Sequence, residues 1–112
     1  MWIFSEDGFY SVIQRKNKSD LTIRARVKGD LDVLREKYLP ALSPTIEWAG
    51  SDYRYRAKAS HSDFAEAMKK MASGVHYDNY KKRVAAKQGK RREQVYHAVW
   101  ADLMHLERHI GG

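Results

Sequence analysis

Apolar and polar side chains alternate along most of the first half of the chain, which is the pattern of strands with one buried face. Residues 1–4 and 9–14 are rich in aromatic and β-branched side chains and flank a tight-turn sequence, so they predict a hairpin. Alternation resumes over 21–28, and a short strand at 45–49 is predicted to pair with the alternating residues 53–59. We therefore expect antiparallel strands in this half.

Apolar residues recur at helical spacing in three places, and capping signals predict a further helix between the second and the last of them. Asp30, a capping box at Ser60 and Asp78 are the predicted N-caps of the first three helices, and Gly89 separates the third from the fourth. The predicted helices run from Asp30 to the residue before Pro40, from Ser60 up to Gly74, over 79–88 and over 90–109.

The fourth predicted helix carries two adjacent apolar stripes. One consists of Val95, Val99, Leu103, Leu106 and Ile110, and the other of Tyr96, Trp100 and Met104. We expect this wide face to be buried against the sheet or the neighbouring helices.

At 112 residues, with 43% hydrophobic and 31% charged side chains, the chain has the size and composition of one globular domain spanning 1–112. The elements predict a two-layer α+β fold, in which a mainly antiparallel, four-stranded sheet packs against helices in the order ββαββαα. Two amphipathic helices are expected to cover one face of the sheet, and the C-terminal helical pair to complete the core.

The chain contains no cysteine, which excludes disulfides, cysteine-based zinc fingers, iron–sulfur clusters and a thiol nucleophile. No stretch approaches the roughly 18 apolar residues of a membrane-spanning helix, and the start has no basic region followed by an apolar run. We expect a cytoplasmic protein with no membrane partner.

The net charge of +7 is concentrated in segment 81–92, which has seven cations and no acidic residue. Removing these seven from the 21 basic residues leaves 14 against 14 acidic residues. The seven are Lys81, Lys82, Arg83, Lys87, Lys90, Arg91 and Arg92. Their mutual repulsion would be relieved by a polyanion that releases its counterions, so nucleic acid is the natural partner. An acidic protein surface or a simply solvated helix surface would explain the cluster equally well.

A second basic group lies on the polar positions of the predicted strands: Arg24, Arg26, Arg54, Arg56 and Lys58. If the helices cover the apolar side of the sheet, these five point away from that side. Arginine forks suit phosphate contacts, and exposed aromatic rings among them would stack on bases. The alternative is a solvated face that discourages edge pairing between sheets.

A helix-turn-helix is an alternative with one cue in its favour. Ser73-Gly74-Val75-His76 joins the second and third predicted helices, and the third carries Lys81, Lys82 and Arg83. No other feature of the sequence supports a recognition helix.

Histidines give no metal prediction. His105 and His109 share a predicted helix face, but HLERH is not the HExxH motif and no third ligand lies near in sequence. We expect no metal site and no cofactor, and we expect His97 to be a partly buried structural residue.

The sequence has no Ser/His/Asp arrangement, Gly-rich phosphate loop or carboxylate pair that points to catalysis. Tyr77, Tyr80, Tyr96 and His97, with arginines nearby, leave open a small toxin-like ribonuclease that works by acid–base chemistry. The same aromatic residues are typical of ordinary core and rim positions, so enzyme activity stays open and a non-enzymatic role is favoured.

Five phrases in the chain, MWIFSEDGFYSV, RARV, DYRYRA, HYDNYKKRV and VYHAVW, resemble a family of short, uncharacterised bacterial proteins of about this length. The resemblance spans nearly the whole chain and implies a complete protein. It implies no activity, cofactor or site residue.

These observations favour a non-enzymatic protein that binds nucleic acid through its phosphates, with little base readout. Segment 81–92 and the strand arginines are the expected contacts. The alternative is a small basic interaction, regulatory or inhibitor protein, of the kind that mobile elements encode, that docks on an acidic protein. A toxin-like ribonuclease is the third hypothesis.

Overall fold

The computed structural model describes residues 1–107 and has the predicted α+β class. The chain divides into two compact units, Met1–His76 and Tyr77–Gly112. The strands are β1 (Trp2–Phe4), β2 (Phe9–Ile13), β3 (Leu21–Ala25), β4 (Ile46–Glu47) and β5 (Tyr55–Ala59). The helices are α1 (Lys28–Lys37), α2 (His61–Ser73), α3 (Tyr80–Gln88) and α4 (Lys90–Leu103).

The five strands form one antiparallel sheet in the order β1-β2-β3-β5-β4. Antiparallel pairing is confirmed, but the predicted four strands and the order ββαββαα are wrong. The turn after β1 is fixed because Ser5 Oγ accepts the backbone N–H groups of Asp7 and Gly8. The predicted hairpin of 1–4 with 9–14 is confirmed as β1 and β2, and β3 joins them in a meander, so three strands rather than two precede α1.

The core of the first unit lies between one face of the sheet and the helices α1 and α2. Ile23, Ala57, Leu31, Leu34 and Ala67 are each 1% exposed or less and belong to one apolar cluster. Strand residues in this cluster alternate along β3 and β5, as the sequence pattern predicts. The two amphipathic helices thus cover a single face of the sheet, which is the predicted two-layer arrangement.

The start of α1 differs from the prediction. Val27 is the N-cap, and Asp30 lies inside the first turn. The buried Asp30 carboxylate instead accepts the backbone N–H of Phe9 at 3.0 Å, and the Asp30 carbonyl accepts the Tyr10 hydroxyl. Asp30 therefore ties α1 to β2 rather than capping the helix.

In the second unit, α3 and α4 are separated at Gly89, as predicted, and Gly89 has the positive φ of 95° that favours glycine. Asn79 rather than Asp78 caps α3, because its side chain accepts the N–H of Lys82 at 3.0 Å. Ser60 caps α2 as predicted, accepting the N–H of Asp63.

The wide buried face predicted for α4 is wrong. Tyr96 is buried, but Val95, Trp100, Leu103 and Leu106 are each more than half exposed. Tyr80, the first residue of α3, stacks on Tyr96, so the residues of α4 beyond that level extend past α3. α4 ends at Leu103, with Met104 as its C-cap, so the predicted continuous helix over 90–109 is wrong. His109 and Ile110 themselves lie outside the described residues.

Candidate nucleic-acid interface

The sheet face opposite the core carries a row of side chains in register across all five strands. Trp2 pairs with Ser11, Ser11 with Arg24, Arg24 with Arg56, and Arg56 with Ile46. Residues directly opposite in an antiparallel pair project to the same side, so these five side chains share one face. Two arginines therefore stand at the centre of the row.

Tyr53 lies against the guanidiniums of two arginines. The Cζ atoms of Arg24 and Arg26 are 4.4 Å and 5.0 Å from the centroid of its ring. Arg24 also donates from Nη2 to Ser11 Oγ at 2.6 Å, while its buried Nε meets no acceptor in residues 1–107. Stacking and this hydrogen bond hold the Arg24 side chain in one position, which lowers the entropy it would lose on binding a ligand.

Aromatic rings extend from Tyr53 to the edge strand β1. Phe9 lies 6.5 Å from Tyr53, 4.5 Å from Phe4 and 5.8 Å from Trp2, measured between ring centroids. Trp2 is 66% exposed. The face therefore has exposed aromatic surface next to its cations.

Trp48 provides a second aromatic position, beside β4. The guanidinium of Arg56 lies 4.6 Å from the centroid of its ring, and that of Arg15 lies 5.9 Å away. Arg56 Nη2 donates to Ser51 Oγ at 2.8 Å, which orients this guanidinium as well. A cavity of about 130 Å³ lies here, lined by Arg15, Thr22, Ile46, Trp48, Arg56, Ala57 and Lys58.

Acidic partners are scarce on this face. Ion pairs within residues 1–107 include Arg35 with Asp32, Lys37 with Asp7, and Arg54 with Glu47. We call Arg15, Arg24, Arg26, Arg56 and Lys58 the sheet-face cations, and none of these described ion pairs includes them.

Arg54 differs from the other predicted strand cations. Its guanidinium donates to Glu47 at 3.0 Å, and this hydrogen bond, followed by the charge of Glu47, raises the pKa of Arg54 above its ordinary value. The carboxylate offsets the charge that Arg54 would offer to a ligand. Arg54 is therefore the weakest of the five predicted strand cations as a candidate for contacting an anion. The other four stay candidates: Arg24, Arg26, Arg56 and Lys58.

Segment 81–92 lies in the other unit, on α3, Gly89 and the first turn of α4. Five of its cations are exposed: Lys82, Arg83, Lys87, Lys90 and Arg91. Lys81 and Arg92 are partly buried, because Lys81 lies over the Trp100 ring at 4.3 Å and Arg92 donates to the Tyr96 hydroxyl at 3.2 Å. The predicted site residues thus form two groups, one in each unit.

The residues of the ribonuclease hypothesis lie on α3, α4 and the connection before α3. His97 is exposed rather than partly buried as predicted; its ring stacks on Trp100, and its Nδ1 lies 3.1 Å from Lys81 Nζ. Lys81, His97 and Glu93 line an open cleft of about 440 Å³. The Tyr96 ring is buried and stacked on Tyr80, and Tyr80 lies 6.1 Å from Tyr77. The rings of Tyr77, Tyr80 and Tyr96 therefore pack in series, each against the next.

Two other expectations concern the same region. α2 ends at Ser73 and α3 begins at Tyr80, so six residues connect them, longer than the three or four of a helix-turn-helix. His109 of the histidine pair lies outside the described residues, and within 1–107 no three His, Asp or Glu side chains come together as a metal site. No helix within that range is long and apolar enough to cross a membrane.

Comparison with protein-family models, with curated proteins and with solved structures finds no match.

Sequence patterns missed three residues of this surface: Trp48, Tyr53 and Arg15. The alternation of Tyr53 with Tyr55 and Ala57 predicts it on the apolar side of the strand, yet β5 begins only at Tyr55, so Tyr53 precedes the strand and turns toward the arginines. Trp48 follows β4 directly and flanks the same turn. Two aromatic residues bracketing a Gly-Ser-Asp turn were the available signal.

Proposed function

We propose that this chain binds nucleic acid through phosphate contacts on the sheet face opposite the core, without strong base readout and without catalysis. The observation that carries the proposal is the pairing of Arg24 with Arg56 in register on a face where the described ion pairs include neither. Like charges directly opposite one another weaken a strand pair, and a polyanion bound across them would remove that cost.

The chemistry of these side chains favours phosphate as the anion. Guanidinium forks donate two parallel hydrogen bonds to a phosphate, and stacking on Tyr53 and Trp48 holds the forks of Arg24 and Arg56 in place. Arg26 and Lys58 are exposed beside them. A phosphate chain crossing the sheet would meet several cations in succession.

Segment 81–92 adds a second set of phosphate contacts in this proposal. Its exposed lysines and arginines sit on helix surfaces with no acidic residue among them. Such contacts add affinity but carry no sequence information. Exposed rings accompany the cations of both groups, Trp2 and Trp48 on the sheet face and Trp100 beside Lys81 in the second unit.

The test is fluorescence anisotropy with mixed-sequence single strands and duplexes, titrated between about 50 and 200 mM salt. The log affinity of wild-type protein should fall linearly with log salt. Arg24→Gln with Arg56→Gln should reduce the slope for single strands by about 1.4, because each lost phosphate contact removes about 0.7. Arg54→Gln is the matched control, and its slope should not change because Glu47 already offsets its charge.

Three outcomes would overturn the proposal. Absence of binding at the lowest salt would remove nucleic acid as the ligand. Equally tight binding of an acidic polypeptide such as polyglutamate would favour an acidic protein partner. RNA cleavage that persists with a chelator and is lost in His97→Ala would make the chain a ribonuclease and not a binder.

A further inference from the structure

The cavity at Trp48 combines an aromatic surface with cations at one end of the sheet. Trp48 is 49% exposed, and the guanidiniums of Arg56 and Arg15 lie at its ring. Ile46 and Ala57 supply further apolar lining, and Lys58 adds a third cation. Phosphate alone would need the cations but not the apolar surface, so the lining fits a ligand with a flat ring and an attached anion.

The size of this cavity limits the ligand. At about 130 Å³ it is smaller than the roughly 300–1,000 Å³ of pockets for drug-sized molecules. A single planar ring system suits such a space, whereas a base pair inside a duplex does not, because its faces are covered by the neighbouring pairs. An unpaired nucleobase has an uncovered π-face and carries its phosphate with it.

We propose that this cavity takes one unpaired nucleobase stacked on Trp48, with the adjoining phosphates on Arg15, Arg56 and Lys58. The ligand class of the sheet face is then single-stranded nucleic acid. This inference rests on the proposed function. It agrees with weak base readout, because every base has a π-face and stacking on an aromatic ring tolerates any sequence.

The experiment compares three ligands with equal numbers of phosphates per strand: oligothymidylate, an abasic strand and a duplex. Wild-type protein should bind oligothymidylate about five- to hundredfold more tightly than the abasic strand, which is the range of one stacked base. Trp48→Ala should lose that difference; it should also weaken abasic binding somewhat, because Trp48 orients Arg56, so the ratio of the two affinities is the readout. Trp48→Phe should keep most of the difference. Trp100→Ala, at a tryptophan 51% exposed in the other unit, is the control and should keep the wild-type difference between oligothymidylate and the abasic strand, because its contact with Lys81 bears on both ligands alike.

The outcomes separate the two proposals. Equal binding of oligothymidylate and the abasic strand by wild-type protein would overturn the base pocket while leaving phosphate binding in place, and this comparison needs no folded variant. The same loss in Trp48→Ala and Trp100→Ala, or tighter binding of the duplex, would also overturn the pocket. No binding of any ligand at low salt would overturn the proposed function itself.

Discussion

Arg24 on β3 and Arg56 on β5 face each other in register, two like charges at the centre of the sheet. Each guanidinium lies against a different aromatic ring, Tyr53 for Arg24 and Trp48 for Arg56. These contacts stabilise the side chains individually but leave the repulsion between them. The sheet therefore keeps a like-charge pair, and the proposed polyanion would offset its cost.

A double-mutant cycle on Arg24 and Arg56 isolates this repulsion. Each single change to Gln removes both the repulsion and the contacts of one arginine. The sign of its effect on the free energy of unfolding therefore does not show whether the two arginines repel each other. The double variant loses both sets of contacts but the repulsion only once. We expect it to be less stable than the sum of the two single effects by about 0.2 to 1 kcal/mol, measured by urea unfolding.

Salt provides the control for this cycle. Screening shortens the Debye length to about 3 Å at 1 M salt, so the coupling should shrink toward zero there. Additive effects at low salt, or a coupling of the opposite sign, would show that the pair does not repel and would weaken the argument for a bound polyanion.

Charge reversal separates segment 81–92 from other surface cations. Lys90→Glu with Arg91→Glu should reduce the salt slope of single-strand binding by about 1.4. Lys69→Glu with Lys70→Glu changes the net charge equally, but on α2, which packs on the core face of the sheet, so the slope should not change. Helix content by circular dichroism should match wild type in both variants, since all four side chains are exposed. Equal losses in the two variants would indicate a response to net charge alone.

The spacing of apolar residues predicted most of the fold, because a strand or helix that is buried on one face has apolar side chains at regular intervals. Leu21, Ile23 and Ala25 alternate and are buried, and Phe64 and Ala67 recur at helical spacing and are buried. Each predicted strand segment has a counterpart among β1 to β5, so the segments were right and the count was wrong, because three strands rather than two precede α1. The prediction that both apolar stripes of α4 are buried failed, because an apolar pattern shows which face of a helix is suited to burial but not how much of that face the neighbouring element covers.

The candidate site was predictable in its charges and not in its contacts. Arg24 and Arg56 were identified as facing away from the core, and they do. Their alignment opposite one another depends on the register between β3 and β5, which are separated by α1 and β4 in the chain. The pairing of Arg54 with Glu47 and the positions of the Tyr53 and Trp48 rings depend on the geometry of the β4–β5 hairpin. Long-range register is therefore what the sequence patterns lacked.

Two valines in the second unit test the corrected core. Val84 is fully buried, whereas Val95 is 54% exposed. Val84→Ala should lower the free energy of unfolding by about 1 to 3 kcal/mol, because it removes buried methyl groups and leaves a cavity. Val95→Ala removes the same atoms from an exposed helix position and should stay within about 0.5 kcal/mol of wild type. A larger loss at Val95 would mean that this stripe is covered after all.

Two glycines in the first unit make the last matched pair. A Cβ built on Gly8 would lie 2.7 Å from Asp30 Cγ and 2.9 Å from the Tyr10 hydroxyl oxygen. Asp30 is buried and bonded to the N–H of Phe9, so it cannot move aside without losing that bond. Gly8→Ala should therefore destabilise the chain by about 1 to 3 kcal/mol. At Gly29, in the first turn of α1, the nearest atom lies at 4.0 Å, so Gly29→Ala should instead stabilise by about 0.4 to 1 kcal/mol. Thermal unfolding of both variants measures this, and a neutral Gly8→Ala would show that the contact between the first turn and Asp30 is looser than described.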